Sequence, residues 1–288
     1  MAVLLANRAT DCTLSEDGSG VWLVDGHVHI HPRYDRGRFL AAAAANFRAA
    51  ARQIGLADAV PGVLMLTESA GDHAFEELAA APGGSVAGWS VTRTAEPISL
   101  LLTRPGGDRV YIVSGRQIVT SDRLEVLALA ARDEVPDGSP LEVAVRGAKA
   151  AGALPVIPWG FGKWTGARRR RLAEFLQSPH GAGVLLGDNG GRLDIGPLPA
   201  LLGEALRNGR LIVPGSDPLP FASHSERAGQ YGFVLTAGID PDHPARTVVQ
   251  YLLSRKDQPC PFGRLMPLPG FLASQLRMQL RARFQKRS

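Results

Sequence analysis

Short apolar runs recur along the chain, and most are followed by a stretch with helical spacing. The first, Val21-Trp22-Leu23-Val24, ends in Asp25-Gly26, and a run of this kind bounded by turn residues predicts a buried strand. Comparable runs occur at Gly62–Glu68, Leu124–Leu129, Leu154–Trp159, Gly183–Asn189 and Arg210–Asp217. Between them the pattern predicts helices over Phe39–Ile54, His73–Ala80, Pro140–Ala151, Arg168–Gln177 and Leu198–Asn208. The first helix is alanine-rich, with high intrinsic propensity, and the third has Pro140 at its start and Gly152 past its end.

Residues Ser85–Thr120 break this alternation. Four short runs, Trp89–Thr94, Ile98–Thr103, Arg109–Val113 and Gln117–Thr120, are separated by turn signals such as Arg104-Pro105-Gly106-Gly107-Asp108. They predict an antiparallel β meander. The remaining strand–helix spacing predicts a parallel sheet in an α/β fold, most simply a (β/α) barrel of seven or eight units, TIM-like, with the meander inserted over 85–120. A doubly wound open sheet is the alternative. No Gly-x-Gly-x-x-Gly follows the first strand, so no nucleotide cofactor is expected.

The first strand leads into Asp25-Gly26-His27-Val28-His29-Ile30-His31. Period-two geometry puts His27, His29 and His31 on one face, with Val28 and Ile30 turned to the core. Imidazoles gathered this way suit a divalent metal, though each could simply end a strand. In a barrel, chemistry sits where strands end. The other strand ends offer Glu68 with Asp72 and His73, Glu125, Trp159 and Lys163, Asp188 with Asn189 and Arg192, and Asp217 with His224, Glu226 and Arg227 beyond it. Candidate metal ligands are therefore His27, His29, His31, Glu125, Asp188 and Asp217. Candidate catalytic groups are Asp217 and His224, as general base or proton shuttle. Lys163, Arg192 and Trp159 are candidates for contact with a small, anionic substrate. This nitrogen and oxygen donor set points to Zn, Mn or Fe, as one or two ions. Asp188-Asn189-Gly190-Gly191 also reads as a tight turn, and Arg168-Arg169-Arg170-Arg171 as a solvated helix face.

The 288 residues are 45% apolar and carry a net charge of +5. From Leu253 onward there are eight basic residues and one acid, so the body before it is slightly acidic. No nucleic-acid motif accompanies the basic tail, and no nucleic-acid partner is expected. The division is a body over 1–252 and a tail over 253–288. Within the tail, 271–287 reads as an amphipathic helix with Leu272, Leu276, Leu280 and Phe284 in one stripe and Arg277, Arg281 and Lys286 outside it. Such a helix packs on the body, or docks on an anionic membrane surface or an acidic partner. The N-terminal stretch is too short and too soon interrupted for a signal peptide. Cys12 and Cys260 have no zinc-type spacing and indicate no disulfide framework. The cytoplasm is the expected compartment, with membrane association through the terminal helix.

The segment Asp25–His31 resembles the first metal motif of the amidohydrolase and PHP (polymerase and histidinol phosphatase) families, metal-dependent hydrolases on barrel or distorted-barrel scaffolds. Leu124-Glu125-Val126 looks like the PHP strand that supplies a bridging glutamate, and Gly215-Ser216-Asp217 like the late segment that supplies an aspartate. The resemblance implies a distorted PHP-type barrel, His27 and His29 as ligands, Glu125 as a bridge, and Asp217 as a ligand or general base. It departs from those families at two places: Leu219 stands where an Asp-x-His histidine is expected, and Ile157-Pro158-Trp159-Gly160 delivers no histidine. The function implied is phosphoester hydrolysis. The alternatives are hydrolysis of an amide or related C–N bond, and a catalytically degenerate protein that binds a small ligand or partner.

Overall fold

The computed structural model describes residues 20–57, 60–133 and 135–285. The N-terminal stretch, Cys12, Lys286 and Arg287 lie outside them. The strands are β1 (Trp22–Val28), β2 (Gly62–Leu66), β3 (Ser85–Val86), β4 (Trp89–Arg93), β5 (Ser99–Thr103), β6 (Arg109–Val113), β7 (Gly115–Val119), β8 (Glu125–Leu129), β9 (Leu154–Pro158), β10 (Leu185–Asn189), β11 (Ile212–Gly215), β12 (Tyr231–Leu235) and β13 (Cys260–Gly263). The helices are α1 (Arg36–Gln53), α2 (Ala74–Ala79), α3 (Leu141–Ala150), α4 (Gly166–Gln177), α5 (Ala200–Arg207), α6 (Pro244–Ser254) and α7 (Leu268–Gln285).

These strands form two open mixed sheets and no closed barrel, which corrects the expected (β/α) barrel of seven or eight units. One sheet has the order β13-β12-β1-β2-β6-β5-β4-β3, the other β11-β10-β9-β8-β7. A barrel of that type needs parallel strands all round. Here β1 pairs antiparallel with β12, and β8 pairs antiparallel with both β7 and β9. The meander is no insertion either. Its strand β6 joins β2 in parallel, and β7 crosses to the other sheet. Residues 260–263, assigned to the tail, extend the first sheet beside β12. Cys260 on that strand is disulfide-bonded, contrary to the expectation from the cysteine spacing.

The layers follow from the alternation of apolar residues. Leu23, Leu64, Leu66 and Ile112 pack on Phe39, Leu40, Ala43 and Phe47 of α1 and on Phe75 and Leu78 of α2. The α1 helix starts at Asp35, whose carboxylate accepts the Arg38 amide at 2.7 Å. On the other sheet Val126, Ile157 and Leu186 pack on α3, α4 and α5 through residues such as Val145, Phe175 and Leu202. The space between the sheets holds Trp22, Val24, Met65, Leu127, Val156, Val213 and Phe233, and α6 contributes Val248 and Leu252 to it.

The sheets also meet at two seams. On one side Glu68 bonds through its backbone to Gly115 and Gln117 of β7. On the other, β11 abuts β1 without a continuous ladder. A β-carbon on Gly215 would lie 2.4 Å from the His27 nitrogen, and one on Gly26 would lie 2.5 Å from Val213 Cγ1. Only glycine permits that approach. Among the described residues, no helix is long and apolar enough to cross a membrane.

Candidate metal centre

The β1 strand reverses its phase just before the histidines. Val21 and Leu23 face α1, whereas Trp22 and Val24 face the space between the sheets. Asp25 is in register with Leu64, but Val28 is in register with Leu66, so β1 carries one extra residue. This bulge turns Val28 and Ile30 toward α1 and leaves His27 and His29 on the inter-sheet side. Strict alternation would have placed those imidazoles with Leu23, under the helix.

Three ligand atoms converge there. The Nε2 atoms of His27 and His29 stand 3.2 Å apart. Asp217 Oδ1 is 3.6 Å from the first and 3.5 Å from the second. Ligand atoms about 2.0–2.1 Å from one tetrahedral ion are separated by about 3.3 Å, so the triangle has the size of one face of such a site. Both histidines are buried, and the cluster could hold a metal ion. Among the described residues it is the one grouping of three such side chains.

Backbone bonds position these groups. The Asp217 amide donates to the His27 carbonyl at 2.8 Å, and Asp217 adopts a left-handed φ of 46°. Aspartate tolerates this conformation better than most residues. Asn189 at the end of β10 donates its side-chain amide to the other Asp217 oxygen, Oδ2. Asp25, wholly buried, accepts the amides of Ser216 and Gly229 at 2.8 Å and of His27 at 3.3 Å. It ties β1 to the Gly215-Ser216-Asp217 turn, although Asp-Gly in the sequence reads only as a turn. Burial pushes its carboxyl up to about 7, against the pull of those amides.

The electrostatics suit a ligand set. Burial, reinforced by the neighbouring His27, pushes the His29 imidazole down to about 3. Burial pushes Asp217 up, but His27 and His29, followed by Lys163 and Asn189, outweigh it and hold the carboxyl at about 2. At neutral pH His29 is thus neutral and Asp217 ionised, the forms that bind metal. The Nδ1 of His29 is buried without a hydrogen-bond partner. In place of the usual orienting hydrogen bond, the ring stacks on His31, with centroids 5.3 Å apart and an 11° tilt.

The remaining sequence candidates lie outside the triangle. His31 donates from Nε2 to the Pro218 carbonyl at 2.9 Å. Glu125 receives the ammonium of Lys163 and the amide of Gln117, because β8 runs antiparallel and starts where β9 ends. Asp188 is buried and held by Arg192 through two bonds of 2.7 and 2.8 Å, with Tyr231 donating to it at 2.7 Å. The Arg192 guanidinium is therefore committed to Asp188. His224 accepts the Leu219 amide at Nδ1 (3.1 Å) and its Nε2 faces Ser274 of α7 at 3.2 Å. Burial, reinforced by Arg227, pushes its imidazole down to about 4. Trp159 packs on the outer core of the second sheet. Glu68 accepts the Phe75 amide at 2.8 Å and pairs with Arg116.

Asn189 and Arg227 stand in the sequence as polar groups at strand ends, but their places in the centre, Asn189 as a carboxylate partner and Arg227 beside Asp217, are not legible there. Arg227 is half-buried, donates to the Gly190 carbonyl at 2.9 Å, and keeps its Nε without a partner. Burial lowers its pKa while Asp217 and Asp25 raise it. Nothing in its local sequence distinguishes it from a surface arginine.

An α/β protein with a buried His-His-Asp cluster between two sheets is thus defined. No protein-family model and no curated protein matches the chain. Among solved structures it is similar to the crystal structure of PsfC from Pseudomonas syringae PB-5123, with 16% identity, a TM-score of 0.51, and coverage of 92% of this chain and 99% of that one. At that identity the likeness concerns the fold.

Proposed function

We propose that the protein is a metal-dependent hydrolase of phosphoesters, with a single zinc ion as its metal. The observation that carries this reading is the triangle of His27, His29 and Asp217, whose edges match a tetrahedral ion with one position open. Two imidazoles and one carboxylate are a donor set that suits zinc better than magnesium, which takes oxygen ligands and keeps its waters. The resemblance of Asp25–His31 to the first metal motif of the amidohydrolase and PHP families supports the same reading.

The bound ion would supply Lewis acidity toward a water and toward a phosphoryl oxygen. The chain does the rest. Asn189 fixes Asp217 in one orientation, so that Oδ1 stays with the histidines. Lys163 reaches the site from the β9–α4 loop, close enough to lower both Asp217 and His29. Its ammonium, paired with Glu125 in the free site, would turn to the charge that develops on the phosphoryl or leaving oxygen. Arg227, with its unpartnered Nε, adds a second cation for an anionic substrate. These two cations favour a phosphoester over a neutral amide. His224, with both ring nitrogens engaged, holds the 219–224 loop.

Elemental analysis of the purified protein and hydrolysis of p-nitrophenyl phosphate test the reading. About one zinc per chain and activity in the parent are expected, with both lost in His27→Ala and Asp217→Ala. Unchanged metal content in both variants would overturn the assignment.

A further inference from the structure

Leu272, Leu276 and Leu280 of the α7 stripe do not pack on the body. Phe271 and Ser274 are its buried residues, while Leu272 and Leu276 are 57% and 59% exposed. Leu268, Met278 and Leu280 are exposed as well. Of the nine large apolar side chains exposed among the described residues, these five lie on one helix. Two more flank it. Phe161 is exposed yet sets its ring edge-on to Phe271, with centroids 5.0 Å apart. Ile195 is exposed beside Asp194, whose amide bonds to the Met266 carbonyl just ahead of α7. Exposed apolar residues that cluster in this way mark an interaction surface.

The charge around this surface is mostly positive, with Asp194 beside Ile195 as an exposed acid. From Gln258 to Ser288 the sequence has six basic residues and no acid, and of these Arg264 and Arg277 are exposed in the described structure. At the other edge, Arg168 of α4 donates to the Gly162 carbonyl at 2.6 Å, which places the start of the Arg168–Arg171 run beside Phe161. A helix that exposes leucines with arginines about it fits the boundary between headgroups and acyl chains of an anionic bilayer. A second copy of the chain fits less well, because an isologous contact would set the same cations against each other.

We propose that α7, with Phe161 and Ile195 beside it, is a docking face for an anionic lipid surface. The face is anchored near the centre, since Ser274 meets His224 and Arg277 donates to Ser223 at 2.7 Å. Docking would therefore bring the metal cluster to the membrane boundary. The proposal rests on the surface alone and stands whether or not the protein is a hydrolase.

Sedimentation of the full chain with phosphatidylcholine vesicles, with and without 30% phosphatidylglycerol, tests it. The expected result is binding to the anionic vesicles alone, weakened at least tenfold in Leu272→Glu/Leu276→Glu and reduced by salt. Because these leucines face solvent, the variant should keep the parent's circular dichroism and melting temperature. Absence of binding to the anionic vesicles would overturn the proposal. So would equal binding by the variant, or a dimer in light scattering that the variant dissolves without any vesicle binding by the parent.

Discussion

The backbone amide of Asp217 donates to the carbonyl of His27 at 2.8 Å, so the carboxylate and the first imidazole are registered by main chain rather than by side-chain contact. That bond exists only because Gly26 and Gly215 let β1 and β11 touch.

Gly215→Ala should disturb this seam. The new methyl would meet the His27 backbone nitrogen at 2.4 Å, and backbone cannot swing away as a flexible side chain can. Overpacking of this kind costs about 1–3 kcal/mol. Urea unfolding should show that loss, and zinc titration should show a weaker site, because Asp217 moves with its strand. Zinc affinity equal to the parent's would refute the dependence on this contact.

Arg192 and Asp188 form a buried pair, and removing one partner strands the other. Arg192→Met should cost about 3–5 kcal/mol in urea unfolding, the usual scale for an orphaned buried charge. The double variant Arg192→Met/Asp188→Leu should be more stable than Arg192→Met alone. If the single substitution costs under about 1 kcal/mol, the pair contributes little to the fold.

His224 gives a pH dependence of known sign. Burial pushes its pKa down from 6.5 to about 4. Between those values the unfolded chain binds a proton that the folded chain does not, so its contribution is complete above about pH 6.5 and drains away as the pH falls toward 4. His224→Gln carries no such proton. Thermal melts should find the variant less stable than the parent at pH 7.5, with the gap closing by pH 4.5. A gap that is constant or widens toward acid would contradict a neutral, buried His224.

Lys163→Met should separate substrate binding from metal binding. Zinc content should stay at the parent's level, since Lys163 is no ligand. On p-nitrophenyl phosphate kcat/KM should fall by at least about tenfold, equivalent to about 1.4 kcal/mol of lost transition-state stabilisation. Unaltered kinetics would remove Lys163 from the proposed mechanism.

Much of this structure is legible in the chain, and the failures have physical causes. The apolar runs at 62–66, 125–129, 154–158 and 185–189 each form a strand, because short apolar stretches between turn residues have little else to do. Their partners are not legible. Val110 and Ile112 alternate in the same way whether β6 ends a meander beside β5 or also joins β2 in parallel, and that second ladder is chosen by tertiary packing. The barrel expectation failed for that reason. At the centre, His27, His29 and Asp217 were visible as residue types at strand ends. The bulge that turns both imidazoles inward leaves no mark beyond Gly26. Glu125 and Asp188 looked like ligands by position, yet each is taken by a cation: Asp188 by Arg192 only four residues on, Glu125 by Lys163 from a neighbouring strand's loop.

The two imidazoles and the carboxylate come from positions almost two hundred residues apart. During synthesis the histidine strand leaves the ribosome long before β11 exists, so the nascent chain carries a half-built centre through most of its elongation. Contacts of such long sequence separation form late and slowly. Metal capture should accordingly follow most of elongation, completed only when the Gly215–Asp217 turn has closed against β1.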